Sequence, residues 1–243
     1  MRLQFIGSGD AFGSGGRFNT CLHLTGEGID ALIDCGASSL IAMKRLGIDR
    51  AAIDIILLTH FHADHFAGVP FFVLDAQLVA KRTRPLLIAG PPGLRAWYDR
   101  VFAATFPGER KLPFPLSLQE VEIGRPNAIG TLRVTPYPMR HDEKAGPCLA
   151  YRVEAGGRTL CYSGDGEWTD ALAQAAAGAD LFVCECYMFE KIVRAHMSLA
   201  TLREKLPAVG AKRVILTHMS EDMLRRLPEA AMETAEDGKQ VEF

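Results

Sequence analysis

The sequence predicts a layered α/β protein with one core and a metal-binding edge. Three observations carry this expectation. Apolar strand-like runs alternate with helix-period segments from one end of the chain to the other. Hydrophobic residues make up 48% of the 243, enough to bury one large core at this length. Four of the apolar runs finish on a histidine or an aspartate.

Taken in order, a strand over 2–6 runs into the Gly-rich loop GSGDAFGSGG, and strands follow at 18–24 and 31–34. A helix over 38–46 is closed by Gly47. The strand 53–58 leads through a polar run to a helix over 68–81. A strand at 86–89 and a helix at 93–106 come next. The segment PGERKLPFP, 107–115, is irregular because its three prolines withhold backbone donors. Strands at 118–122, 130–137, 148–154 and 159–162 succeed one another, then a helix at 168–177 and a strand at 181–185. The helix 199–206 has Ser198 as its cap, and a strand at 213–216 and a helix at 221–231 complete the pattern. No linker or low-complexity stretch divides the chain, so a single domain over 1–243 is expected. IILLTH, ending at His60, and VILTH, ending at His218, echo each other and suit related strands in two similar halves.

A formal net charge of -2 offers no global attraction for nucleic acid or anionic membranes. No run approaches the roughly 20 apolar residues of a membrane span, and the opening lacks a secretory signal's basic and apolar regions. A cytoplasmic protein without a membrane partner is expected. None of the six cysteines forms a C-x-x-C pair. Buried free thiols are the favoured reading, and Cys184 and Cys186 as metal ligands the weaker one.

The run THFHADH carries His60, His62, Asp64 and His65. Residues two apart on an extended chain point to one side, which brings the His60 and His62 imidazoles together. Once the chain leaves the strand, Asp64 and His65 can turn toward a second point. Imidazoles with carboxylates suit zinc, with nickel, iron and manganese as other candidates. His141, Asp165 and His218 each end a further apolar run, where a rigid strand meets open space. Gly164 and Gly166 let backbone pack closely beside Asp165.

This order of His-x-His-x-Asp-His, then His, Asp and His, resembles the metallo-β-lactamase superfamily over essentially the whole chain. ALIDCG around Asp34 is similar to that family's first motif, whose aspartate supports the metal loop. The resemblance implies an αββα sandwich with two metal ions at one edge. His60, His62 and His141 would hold one ion, Asp64, His65 and His218 the other, and Asp165 would bridge them. The true β-lactamases use a cysteine ligand where this chain differs, which argues against antibiotic hydrolysis.

Residues 184–219 narrow the branch. Glu185, His196 and the Leu-Thr-His triplet ending at His218 resemble motifs of the tRNA 3′-processing endonucleases and their phosphodiesterase relatives, and Asn19 stands in an asparagine place of their opening motif. The resemblance implies that His196, oriented by Glu185, is a catalytic proton donor and that Asp64 takes a proton from the attacking water. A bland reading makes His196 only a neighbour of the Ser198 cap. Tyr187 departs from the endonuclease pattern, and the interval from His141 to Asp165 is too short for their protruding tRNA-binding arm. The chain therefore looks closer to the compact phosphodiesterases of cyclic nucleotides and cyclic phosphates. Hydrolysis of a carboxylic or sulfate ester, a thioester or a lactone is the rival, with RNA 3′ processing behind it and an idle binding protein as the rival of another class. A small anionic substrate is expected, without stable nucleic-acid binding, and a homodimer is left open. From 80 to 140, ten Lys or Arg face four acidic residues, and Arg110 and Lys111 lie between Phe106 and Phe114. That loop either contacts substrate or packs its phenylalanines on its own helix.

Overall fold

The computed structural model describes residues 1–108 and 111–243. The first half of the chain gives β1 (Arg2–Gly7), β2 (Cys21–Gly26), β3 (Ile29–Ile33), α1 (Ser39–Arg45), β4 (Ile55–Leu57), α2 (Ala63–Phe66), α3 (Gly68–Leu78), β5 (Leu86–Gly90), α4 (Leu94–Thr105) and β6 (Leu116–Glu120). The second half gives β7 (Asn127–Ile129), β8 (Leu132–Met139), β9 (Cys148–Ala155), β10 (Arg158–Tyr162), α5 (Asp170–Ala176), β11 (Leu181–Glu185), α6 (Leu199–Lys205), β12 (Val214–Thr217), α7 (Glu221–Arg225), α8 (Leu227–Ala230) and β13 (Gln240–Glu242).

Two mixed sheets result, in the orders β13-β1-β2-β3-β4-β5-β6 and β12-β11-β10-β9-β8-β7. Side chains alternate across each strand and divide the core into three layers. Ala31 and Ile33 of β3, Ile55 and Leu57 of β4, and Leu181 and Val183 of β11 meet between the sheets with Tyr151 and Tyr162. Leu32 and Ile56 face outward onto α1, α3 and α4. Phe182 and Cys184 face outward onto α5 and α6. Strands covered on both faces read as continuous apolar runs, which is how they stood in the sequence. The layering is αββα, as expected.

The departures are local. The run 130–137 is the end of a hairpin: the chain reverses after β7, at Gly130 with φ 57°, and β8 continues to Met139. The helix over 221–231 is broken in two, since Pro228 in the first turn of α8 cannot continue a helix that precedes it. The short α2 and the three-residue β13 were not expected. Both halves repeat one pairing order, two antiparallel contacts and then two parallel ones, over β1 to β5 and over β8 to β12. In that order β12 stands at the place of β5, not of β4. The Thr-His echo therefore does not mark equivalent strands.

Phe114 is buried in the outer core layer with Phe102, and the Phe106 ring meets Phe71 at 5.2 Å. Phe114 of the 107–115 loop and Phe106 just before it thus pack on the protein itself, and Arg110 lies outside the described residues. Among the described residues no helix is long and apolar enough to cross a membrane.

Candidate functional site

Most of the singled-out histidines and carboxylates come from the ends of strands that open on one edge of the sandwich, and Asp64, His65 and His196 come from the segments beside them. Asp34 follows β3, His60 and His62 follow β4, and Asp64 and His65 sit on α2, the turn that reverses the chain. His141 follows β8, Asp165 follows β10, Glu185 ends β11 and His218 follows β12. Gly164 is needed here: φ is 57°, and a Cβ would lie 2.7 Å from the Leu149 carbonyl oxygen. Asp34, Ala195 and His218 are non-glycine residues with positive φ, at 61°, 70° and 54°. Such strain survives where packing over-determines it, and here it gathers at one place.

Among the described residues four overlapping groups bring ligand-type atoms within 4.8 Å of one another. Two of them, which share no residue, are His60, His62 and His141, and Asp64, His65, Asp165 and His218. The other two join His196 to His141 and Asp165, and to Glu185 and His218. His62 Nδ1 lies 3.1 Å from His60 Nε2 and 3.0 Å from His141 Nε2. Asp64 Oδ2 lies 3.3 Å from both His65 Nε2 and His218 Nε2. Asp165 Oδ2 stands between the groups, 3.2 and 3.3 Å from His65 and His218 and 3.9 and 3.8 Å from His60 and His141.

Among the described residues four of the five outward ring nitrogens have oxygen partners, and His218 Nδ1 is buried without one, 3.7 Å from Glu185 Oε2. His65 Nδ1 donates to Asp34 Oδ2 at 2.7 Å, His141 Nδ1 to the Ala195 carbonyl at 2.8 Å, and His62 Nε2 to Asp142 Oδ2 at 3.1 Å. His60 Nδ1 meets Thr59 Oγ1 at 3.0 Å, and that hydroxyl itself donates to Asp34. With the outward nitrogens carrying the protons, the inward nitrogens present lone pairs that converge. His65 Nε2 and Asp165 Oδ1 are buried without a hydrogen-bond partner among the described residues. Four ligands at 2.0–2.1 Å around a tetrahedral zinc stand about 3.3 Å apart, close to the spacing within each group. The donor set fits divalent cations, and Asp165 Oδ2 lies between the two groups.

Burial works against charge on His65, but Asp165, Asp64 and Asp34 outweigh it and hold its pKa well above the ordinary value. Burial, with His65 beside it, pushes His60 well below. The two imidazoles, 4.2 Å apart, are thus shifted in opposite directions, His60 chiefly by burial and His65 by the carboxylates around it.

Beside this cluster, His196 Nδ1 donates to Glu185 Oε2 at 2.8 Å, and Glu185 Oε1 accepts from the Gly166 backbone. Glu185 is buried, which, with Asp165 nearby, raises its pKa well above the usual range. Burial lowers His196. The seven candidate metal-ligand residues, with Glu185 and His196, are therefore brought to one place. Cys184 and Cys186 are not: both are buried free thiols in the outer core layer.

A cavity of about 200 Å³ opens over the cluster, lined by His62, Asp64, His141, Asp165, His196 and His218 together with Ala11, Phe12 and Tyr187. None of the described residues of the 107–115 loop lines it. Sequence reasoning missed Phe12, Asp142 and Ala195, and noted Tyr187 only as a departure. Asp142 follows a candidate ligand directly, the one signal that could have found it. His141 also borders a groove of about 700 Å³ that carries Arg140, Lys144 and Arg194.

Residues 29–219 match the beta-lactamase superfamily domain. A ribonuclease Z from Agathobacter rectalis is 31% identical over 86% of this chain and 84% of its own length. Among solved structures, the metallo-beta-lactamase fold protein YhfI from Bacillus subtilis superposes with a TM-score of 0.81 at 20% identity, covering 99% of both chains. A diphosphatase from the PhnP family gives 0.81 at 20% identity over 100% of this chain and 97% of its own. With the domain match over most of its length and a relative this similar, the chain belongs to the metallo-β-lactamase superfamily, as a hydrolase with a His/Asp cluster suited to metal and related in sequence to ribonuclease Z.

Proposed function

We propose that the protein is a dinuclear metal-dependent phosphodiesterase acting on a small phosphodiester, of the cyclic nucleotide or cyclic phosphate kind. The observation that carries this is the His196–Glu185 pair, a proton donor fixed by a buried carboxylate at the wall of the metal cavity. His60, His62 and His141 would hold one ion, Asp64, His65 and His218 the other, with Asp165 between. The all-nitrogen and oxygen donor set favours zinc, with manganese, iron and nickel behind it. Bound there, such ions supply Lewis acidity that makes water nucleophilic near neutral pH and offsets charge on phosphoryl oxygens.

The chain's own groups do the rest. Asp64 lines the cavity and would take a proton from the attacking water, against a pKa that, despite burial, His65 and His218 hold well below the ordinary carboxylate value. His196, whose Nδ1 is committed to Glu185, keeps Nε2 free to protonate the leaving alkoxide. Its lowered pKa makes it a ready donor once protonated. The groove beside His141 offers Lys144 and Arg194 as cations without a close ion-pair partner among the described residues, which would contact an anionic ester. Relatives named as a ribonuclease Z and a diphosphatase support phosphorus chemistry.

The test is turnover of a substrate panel, namely phosphodiesters, sulfate esters, thioesters, lactones and a tRNA precursor, by wild type and His196→Ala. Phosphodiesters should lead. The variant should lose roughly 10²–10⁴-fold in kcat on alkyl phosphodiesters. It should lose much less on bis(p-nitrophenyl) phosphate, whose leaving group needs no proton. Turnover confined to another class would overturn the reading, and an equal loss for both leaving groups would remove His196 as donor.

A further inference from the structure

We infer that Phe12 and Tyr187 form an aromatic subsite at the mouth of the metal cavity, so that the preferred phosphodiester carries a flat ring, a nucleobase or an aryl group, next to the reacting phosphorus. The inference rests on the phosphodiesterase reading and names its substrate class.

Six of the nine residues lining the cavity belong to the His/Asp cluster and His196. The other three, Ala11, Phe12 and Tyr187, are the surface left for the rest of a substrate. Phe12 is 82% exposed. A side chain of that size ordinarily covers itself in a core, and this one projects over a site rich in charge. The loop that carries it does not sag. The buried Asp10 carboxylate accepts from the Phe12 N–H at 3.2 Å, the Ser14 N–H at 2.9 Å and the Ser14 hydroxyl at 2.7 Å. Asn19 Nδ2 donates to the Asp10 carbonyl at 3.0 Å, and Gly15 N–H to Glu221 at 2.7 Å. Gly13, Gly15 and Gly16 take positive φ, which lets so short a loop fold on itself. The ring is thus presented on a fixed frame, and little order is left to impose when a partner stacks on it.

Tyr187 forms the second wall. Its ring stacks on His196 with centroids 4.5 Å apart and planes 26° from parallel, and it lies 6.2 Å from His218. Its backbone is tied to the Met197 carbonyl and to Ser220 N–H, so the wall is fixed from both sides. A cavity of about 200 Å³ holds a phosphate and its first substituent atoms but not a whole nucleotide. A ring attached there must emerge at the mouth, where the aromatic surface stands. Aromatic stacking tolerates any base and is strongest for flat rings.

The experiment measures binding of adenosine 5′-monophosphate and ribose 5-phosphate, which share the phosphate and differ by the base, to the metal-loaded protein. Calorimetry gives the affinities, and inhibition of bis(p-nitrophenyl) phosphate hydrolysis gives them independently. Wild type should prefer the nucleotide about tenfold. Phe12→Ala should collapse that preference and Phe12→Trp should keep it. Thermal melting checks that both variants are folded, as an exposed position allows. A wild type that hydrolyses the phosphodiester but shows no preference, or a preference that survives Phe12→Ala, overturns the subsite and leaves the phosphodiesterase reading standing. A Phe12-dependent preference in a protein that hydrolyses no phosphodiester keeps the ring subsite and overturns that reading instead.

Discussion

Asp34 touches no substrate, yet it organises much of the metal edge. It is fully buried at positive φ, and its carboxylate accepts from Thr59 N–H at 2.7 Å, from the Thr59 hydroxyl at 2.8 Å and from His65 Nδ1 at 2.7 Å. Those bonds fix both the tautomer of His65 and the strand end that bears His60. Asparagine tolerates the same backbone but has one acceptor oxygen, and its amide group would face a donor. Asp34→Asn should weaken divalent-metal binding by about 10–100-fold, read by competition with a chelator. Unchanged affinity would reduce Asp34 to a packing residue. At this scale the sequence was legible where chemistry is rare: an H-x-H-x-D-H run has few structural explanations. Phe12 was hidden, because a phenylalanine in a Gly-rich loop carries no sign of whether it turns inward. Phe106 and Phe114 had the opposite fate and went into the protein.

Elements were legible where burial imposes a period. Strands such as β4 and β11, covered on both faces, appear as unbroken apolar runs. The three residues of β13 cannot carry a pattern, and α7 and α8 share an amphipathic stretch that only Pro228 divides. The C-terminal segment is held instead by side chains. Glu233 takes a bidentate pair from Arg213 at 2.8 and 2.7 Å and an ion pair from Lys239 at 2.9 Å, and its carbonyl accepts from Leu216 N–H of β12. The hydrogen bonds from Arg213, acting against burial and helped by Lys239, pull the Glu233 pKa from 4.5 to about 2. A carboxylate whose folded pKa is depressed stabilises the fold above its unfolded value, and that contribution is lost as pH falls through the folded one. Glu233 is about one-third exposed, so solvent screening limits the contribution to about 1 kcal/mol. Glu233→Gln should lower the melting temperature by about 2–4 °C at pH 7. The deficit should narrow as the pH is taken below 4.5 toward 2. A deficit that stays constant over that range would mean the carboxylate's charge is not what holds the segment.

For the whole molecule, a net charge of -2 conceals an uneven distribution. Counting charges along the chain pointed to Arg110 and Lys111, because a sequence shows only charges that are neighbours in it. The groove beside His141 draws Lys144 from the turn after β8 and Arg194 from the segment before His196, 50 residues away in the chain. Arg140 in the same groove is committed to Glu167 at 3.2 Å, and Glu167 also accepts from Ala195 N–H at 2.9 Å. Lys144 and Arg194 join no ion pair among the described residues, but Asp142, Glu143 and Glu167 line the same groove, and Arg194 acts on Glu167 through space. Their side chains are the two cations of the groove that no close ion pair holds, so a test of the groove falls on them. Exposed cations act through a field that salt screens within about 8–10 Å at ordinary ionic strength. The double change Lys144→Ala with Arg194→Ala should raise KM for an anionic phosphodiester several-fold at low salt, with metal content intact. The gap from wild type should close as salt is added. A neutral lactone or carboxylic ester, if turned over at all, should show no change. Equal effects on charged and neutral substrates would make the groove a structural feature of the metal edge, and unchanged KM at low ionic strength would take it out of substrate binding altogether.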